Sequence, residues 1–234
     1  MLSSALAVLM LLAADPVTYL GRQVTVVDPG TEDPDGFFPK GEAKVCVKGQ
    51  QEKDCYTAPK GIGRTPSLSV VELHKGESAL FFEAASGGVS GFALQFALLK
   101  FCDRDRFPGC RVDELKNLLP YELGVSNQSQ HAWWELPEIS DSKVFLTADF
   151  VWGPREAHYS DHRYIVSVYV RRPDDFDELS YYLVDQFMTV RSYSYKDNGE
   201  LDDVLGAEEQ EILTRLKRVK ASWPEETKPI EQKQ

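Results

Sequence analysis

The sequence lacks an excess of positive charge. Its 26 Lys and Arg residues stand against 37 Asp and Glu residues, which gives a formal net charge of -11 and a pI near 4.9. Phosphate backbones and anionic lipids attract basic surfaces. The composition therefore argues against a nucleic-acid partner and against docking on an acidic membrane.

The sequence also lacks a run of apolar residues long enough to span a bilayer, which takes about 20 residues in a helix. A shorter apolar run from Ala5 to Leu12 lies in an uncharged N-terminal segment and precedes Ala13 and Ala14. This pattern is typical of a secretory signal peptide, although no Lys or Arg precedes the run. We expect residues 1–14 to be removed and the rest of the chain to be exported, either to the periplasm or outside the cell, as a soluble protein.

No glycine-rich segment completes a catalytic motif. Residues 86–91 resemble a nucleophile elbow, but Phe92 takes the place of the final glycine. Residues 61–63 resemble the start of a dinucleotide-binding turn, but Pro66 takes the place of the third glycine. We therefore interpret both segments as turns between strands, where glycine adopts conformations that other residues avoid.

Cysteine is scarce, and its spacing predicts two local disulfides. A turn centred on residues 50 and 51 would place Cys46 directly opposite Cys55 on a hairpin. Cys102 and Cys110 close a second short loop, in which a Pro-Gly pair makes the return turn. The C-x₂-C spacing of a structural zinc site is absent, so we favour disulfides, which fit an exported protein.

The strand patterns dominate the rest of the chain and follow one another at hairpin distances. They predict a mainly β, β-rich α+β fold: an antiparallel sandwich or a partly open barrel with a C-terminal amphipathic helix packed on it. No internal repeat or linker is visible, so we expect one β-rich domain over residues 15–221. Residues 222–234 are charged and contain two prolines, which predicts a disordered polar tail.

The C-terminal helix is predicted at about residues 207–221. Ile212, Leu216 and Val219 form an apolar stripe at helical spacing. Acidic residues crowd the start of this segment and basic residues crowd its end, which matches the helix dipole at both termini. We therefore expect the stripe to pack on the sheet.

The segment from Lys143 to Arg172 predicts the central hairpin of the fold. Alternation places two sets of side chains on one face, and we expect that face to be buried and the opposite face to be wetter. We predict a register with Phe150 opposite Val166 and Leu146 opposite Val170. The residues assigned to the buried face are Val144, Leu146, Ala148, Phe150 and Trp152 in the first strand and Tyr164, Val166, Val168 and Val170 in the second.

The loop of this hairpin carries the residues that suggest a metal site. Imidazole and carboxylate ligands suit zinc or another divalent ion, and Glu156, His158, Asp161 and His162 supply both. His131 is a possible further ligand from another segment. These residues support a metal-dependent hydrolase as one hypothesis. The competing interpretation is that they make structural hydrogen bonds within the loop.

Aromatic residues around the same loop suggest a ligand-binding cleft. Trp152, Tyr159 and Tyr164 combine an apolar body with a polar group, which suits recognition as well as packing. The hypothesis we prefer is therefore a non-catalytic binding module of the cell envelope without a cofactor. Its partner would be a protein, a glycan or a small ligand.

The segment that precedes the central hairpin carries two features related to sugars. Asn127, Gln128 and Ser129 match a glycosylation sequon. Trp133 and Trp134 could stack on a sugar, but neighbouring residues in a strand face opposite ways. We expect core packing for at least one of the two tryptophans.

Overall fold

The computed structural model describes residues 16–88, 91–105, 108–171, 180–195 and 200–223. The predicted signal peptide at residues 1–14 lies outside the described residues. Of the predicted tail at 222–234, only Ser222 and Trp223 lie within them. The signal peptide, the disordered tail and the single domain over 15–221 therefore stay predictions.

Three antiparallel sheets, which follow one another along the chain, make up most of the described structure. The N-terminal sheet has the order β1-β2-β3-β4, and the C-terminal sheet has the order β10-β11-β12-β13. The middle sheet has the order β5-β6-β7-β8, and β9 also pairs with β7. The strands are β1 (Val17–Tyr19), β2 (Arg22–Val27), β3 (Lys44–Val47), β4 (Tyr56–Thr57), β5 (Ile62–His74), β6 (Glu77–Ser86), β7 (Ala93–Phe101), β8 (Leu115–Asn117), β9 (Gly124–Ser126), β10 (Ser129–Trp134), β11 (Val144–Val151), β12 (Arg163–Arg171) and β13 (Tyr181–Met188).

The middle sheet is buried on both faces because alternate residues of β6 point to different cores. Phe82 and its neighbours on one face pack against the N-terminal sheet, together with Val24 and Val45. Phe81 on the other face packs against Phe145 of the C-terminal sheet. Full burial of one such side chain contributes about 1.5–3 kcal/mol, so these two cores hold the three sheets in a stack.

The C-terminal sheet is likewise covered on both faces, with the middle sheet on one side and a helix on the other. Val204–Ala207 forms a short helix, α1, and Glu209–Ser222 forms α2. Ile212 and Leu216 of α2 are buried in the same cluster as Val166 of β12. The mainly β fold and its C-terminal helix are therefore confirmed, with a sandwich-like arrangement rather than a closed barrel.

The central hairpin forms as predicted, but the predicted register is wrong by two residues. Phe150 lies opposite Tyr164, not Val166, and Leu146 lies opposite Val168, not Val170. A shift of two residues keeps every side chain on its predicted face, so alternation could not distinguish the two registers.

The expectation of a wetter second face on this hairpin is also wrong. Phe145, Thr147, Ser167 and Tyr169 on that face are all buried. The middle sheet covers them, and a sandwich layer with a partner on each side has no face left for solvent.

Both predicted disulfides are present, Cys46 with Cys55 and Cys102 with Cys110. Val45 pairs with Tyr56 in the β3–β4 hairpin, so Cys46 and Cys55 continue the same register and face each other. A short 3-10 helix at Glu52–Asp54 completes the connection. No described cysteine is free.

Candidate ligand cleft

The loops that follow β2, β6, β9 and β11 meet at one end of the stacked sheets and enclose a cleft of about 510 Å³. Small-ligand sites commonly have volumes of 300–1,000 Å³. Asn127 and the backbone at Gly88 and Gly91 contribute to its wall. The other lining side chains, which with these define the loop-end cleft, are Phe37, Arg64, Phe92, Trp152, His158 and Tyr159.

Phe37 is held in the wall by the backbone around it. The carboxylate of Asp33 accepts hydrogen bonds from the backbone N–H groups of Phe37 at 2.9 Å and Phe38 at 2.7 Å. These backbone hydrogen bonds lower the pKa of Asp33 below its ordinary value. The Gly88 N–H donates to the Phe37 carbonyl at 3.1 Å. Gly87 permits this approach, because a Cβ there would lie 2.7 Å from the Phe38 ring.

Arg64 lies between two aromatic rings of the cleft. Its guanidinium carbon is 5.5 Å from the centre of the Phe37 ring and 5.4 Å from the centre of the Phe92 ring. Aromatic faces attract a cation at these distances. One long hydrogen bond, 3.5 Å from Nη1 to the carbonyl of Gly88, adds to this. Among the described residues, no carboxylate pairs with Arg64.

Two of the three aromatic residues predicted as ligand contacts do line the cleft. Tyr159 is 57% exposed. Trp152 is 55% exposed, so its predicted place on the buried face of the hairpin is wrong, because β11 ends at Val151. Tyr164 is fully buried and is not part of the lining. Burial raises the pKa of the Tyr164 hydroxyl above its usual value, and the negative charge of Asp149 adds to this effect.

Glu156 and His162 brace the loop from within. Oε2 of Glu156 accepts a hydrogen bond from the Gly153 N–H at 2.7 Å. The same oxygen lies 2.7 Å from Nδ1 of His162. The hydrogen bond from Gly153, followed by that from His162, lowers the pKa of Glu156. The ring of His162 is completely buried and contacts Phe150 and Trp152. The Glu156–His162 pair therefore holds in place the imidazole ring that packs against Trp152.

The other two candidate metal ligands have different partners. Asp161 accepts a hydrogen bond from the Ser194 hydroxyl at 2.7 Å. Gln128 donates through Nε2 to the His158 carbonyl at 2.7 Å and contacts His158 Nδ1 at 3.1 Å. Within the described ranges, no group of three or more His, Cys, Asp or Glu side chains is arranged to hold a metal ion. The structure thus brings together only Glu156 and His162 of the four.

His131, the possible further ligand, lies elsewhere. Its Nε2 is 3.2 Å from Oε1 of Glu83, and its ring packs against Phe81, Phe96 and Phe145 between two sheets. Burial lowers the pKa of His131, and the charge of Glu83 opposes that effect.

Trp133 and Trp134 face opposite sides of the C-terminal sheet, as alternation predicts. Trp133 packs against the cluster shared with the middle sheet, and Trp134 against the cluster under the helix. Both side chains are half-buried. The expectation that at least one of them packs against a core is therefore met.

Sequence reasoning missed the residues that give the cleft its charge and its opposite wall. Phe37, Arg64, Phe92 and Asn127 come from segments far apart in the chain, and no spacing rule connects them. The sequence suggests a metal or a structural role for His158, whereas the structure places it in the lining of the cleft. To predict this site from the sequence, one would need to know which loops lie at the same end of the sheets.

The sequence matches no family model, no curated protein and no solved structure in comparisons with each. Within the described part of the chain, no helix is long and apolar enough to cross a membrane.

Proposed function

We propose that the protein is an exported, non-catalytic binding domain of the cell envelope whose ligand occupies the loop-end cleft. The observation that carries this proposal is the combination, in one cavity, of exposed Trp152 and Tyr159 with Arg64, which has no carboxylate partner in the described part of the chain. Aromatic and cationic side chains that converge in one concave site can contact a single ligand together.

The chemistry of the loop supports binding more than catalysis. The acidic side chains of Glu156 and Asp161 accept hydrogen bonds from neighbouring groups, and neither lines the cleft. His158 does line it, but its Nδ1 is engaged by Gln128. A general base needs a titratable group that is within reach of the ligand and free to accept a proton, and one ring nitrogen of His158 is already occupied by Gln128.

A ligand screen of the intact protein tests the proposal. A library of glycans and small molecules is screened by ligand-observed NMR against the wild type, Trp152→Ala and Tyr121→Ala. Tyr121 is a matched control because it is 79% exposed and lies outside the cleft lining. We expect ligands whose signals respond to the wild type and to Tyr121→Ala but not to Trp152→Ala. Ligands that bind all three proteins equally would place recognition outside the cleft and overturn the proposal.

Elemental analysis separates this proposal from the metal-dependent hydrolase. We expect the purified protein to be free of stoichiometric zinc and its melting temperature to be unshifted by added zinc. Stoichiometric metal that disappears in His158→Ala would instead support the hydrolase and contradict a binding module without a cofactor.

The two disulfides support the export part of the proposal, because disulfides persist in oxidising compartments. Mass spectrometry after alkylation without reduction should find no free thiol in protein recovered from the envelope or the medium. Four alkylated cysteines in such a sample would contradict both the pairing and the compartment.

A further inference from the structure

We infer that the loop-end cleft binds a sugar that carries a carboxylate, with Arg64 on the carboxylate and the aromatic side chains against the sugar ring. This inference rests on the proposed binding function and adds the chemical class of the ligand.

The described lining of the cleft carries a cationic side chain, although the protein as a whole is acidic. The chain carries 37 Asp and Glu residues, yet no carboxylate side chain is among the described residues that line the cleft. Arg64 is the one Lys or Arg side chain in that lining. A cavity that concentrates one sign of charge attracts ligands of the other sign, so the ligand is expected to be anionic.

The geometry of Arg64 suits a carboxylate in particular. The rings of Phe37 and Phe92 lie near its guanidinium group and restrict it. A guanidinium group presents its N–H donors in a fixed fork that matches a planar, bidentate carboxylate. A restricted arginine also loses less conformational entropy when the ligand binds.

The rest of the lining suits a ring with hydroxyl groups. Trp152 and Tyr159 offer exposed aromatic faces for the apolar face of a sugar ring. Nδ1 of His158 is 3.1 Å from Nε2 of Gln128, so the other ring nitrogen of His158 is the one available to a hydroxyl group of the ligand. Asn127 adds an amide that can both donate and accept. A flat aromatic acid would cover the rings but leave these polar groups without partners, which costs affinity.

The test compares four probes that separate charge from ring: glucuronate, glucose, benzoate and acetate. Each is titrated into the intact, ¹⁵N-labelled protein, and the indole N–H signals of its four tryptophans are followed. Trp152→Phe identifies the signal of Trp152. We expect glucuronate to shift that signal saturably, with at least about tenfold weaker binding of the other three probes, because each lacks the charge, the hydroxyls or the ring.

Two arginine variants complete the test. Arg64→Gln should weaken glucuronate binding by about tenfold or more, since it removes a charge-assisted pair. Arg218→Gln is the matched control, because Arg218 is exposed on α2 and outside the cleft lining, and it should leave the affinity unchanged. Higher salt should weaken binding to the wild type more than to Arg64→Gln.

The outcomes distinguish this inference from the proposed function. Glucose that binds as tightly as glucuronate, or an Arg64→Gln variant of unchanged affinity, overturns the role of charge but keeps a cleft that binds sugar. If benzoate or acetate binds as tightly as glucuronate, the inference that the ligand is a sugar is wrong. An unchanged Trp152 signal with all four probes overturns the inference, while the proposed function then fails only if the wider ligand screen also finds no ligand that depends on Trp152.

Discussion

Arg171 and Arg64 are both half-buried arginines on strands of neighbouring sheets, but within the described ranges a carboxylate partner is found for Arg171 and none for Arg64. Nη1 of Arg171 lies 2.6 Å from Oε2 of Glu77, and Nζ of Lys100 lies 2.5 Å from Oε1 of the same side chain. These contacts link β6, β7 and β12 across two sheets. Arg64 contacts only aromatic rings and one carbonyl among the described residues. The difference indicates that charge at the first site supports the fold, whereas charge at the second is available to a ligand.

The largest expected effect comes from removing the carboxylate of the paired site. Glu77→Gln removes the carboxylate that both Lys100 and Arg171 contact in a half-buried site, which should cost about 2–3 kcal/mol of unfolding free energy. Urea unfolding at pH 7 measures this. Glu135→Gln is the matched control, because Glu135 is 78% exposed and its pair with Lys143 should contribute less than about 1 kcal/mol. If Glu77→Gln and Glu135→Gln had equal unfolding free energies, the ion pair of Arg171 would have no special role in the fold.

The pH dependence of the same site should be smaller and directional. Burial raises the pKa of Glu77, but hydrogen bonds from Lys100 and Arg171 outweigh it and hold the pKa below the ordinary value of 4.5. A lowered folded-state pKa stabilises the protein above the unfolded-state value, and this stability is lost as the pH falls through 4.5 towards the folded-state value. The difference in unfolding free energy between the wild type and Glu77→Gln should therefore shrink below pH 4.5. A difference that is constant with pH would argue against a charge effect.

His131 provides a further pH-dependent contact between the same two sheets. Burial lowers its pKa below the ordinary value of 6.5, against the opposing charge of Glu83. His131 therefore binds a proton more readily in the unfolded chain than in the folded protein. Its contribution to the unfolding free energy should be complete above pH 6.5 and should decrease as the pH falls below that value. Thermal unfolding should show a shallower loss just below pH 6.5 in His131→Gln than in the wild type. Identical slopes would show that His131 is not the titrating group.

The smallest effect on stability is expected at the unpaired site. Arg64→Gln removes the interactions with Phe37 and Phe92, which should cost no more than about 1 kcal/mol. The same urea unfolding experiment measures it beside Glu77→Gln. A loss as large as that of Glu77→Gln would make Arg64 a structural residue and weaken its assignment to a ligand.

Local patterns predicted more of the scaffold than of the candidate site. The disulfides were predictable because one pair of cysteines is opposed across a short hairpin and the other closes a short loop. The helix was predictable from its apolar stripe and from the charges at its two ends. The predicted register of β11 and β12 failed because the period of two is satisfied equally by shifts of two residues. Among the ligand candidates, Trp152 and Tyr159 are exposed in the cleft but Tyr164 is buried. Tyr164 lies near the start of β12 and belongs to the buried cluster between the sheet and α2.

The sequence by itself determined the strands, the faces of the central hairpin, the cysteine pairs and the apolar stripe of α2, because each depends on residues close in the chain. Only the tertiary structure decided that both faces of the central hairpin are covered, since a strand pattern does not specify how many layers stack on it. The tertiary structure also brought Phe37, Arg64, Phe92 and Trp152 to one cleft. Their proximity depends on which loops share one end of the sheets, and that arrangement is a property of sheet packing rather than of local sequence.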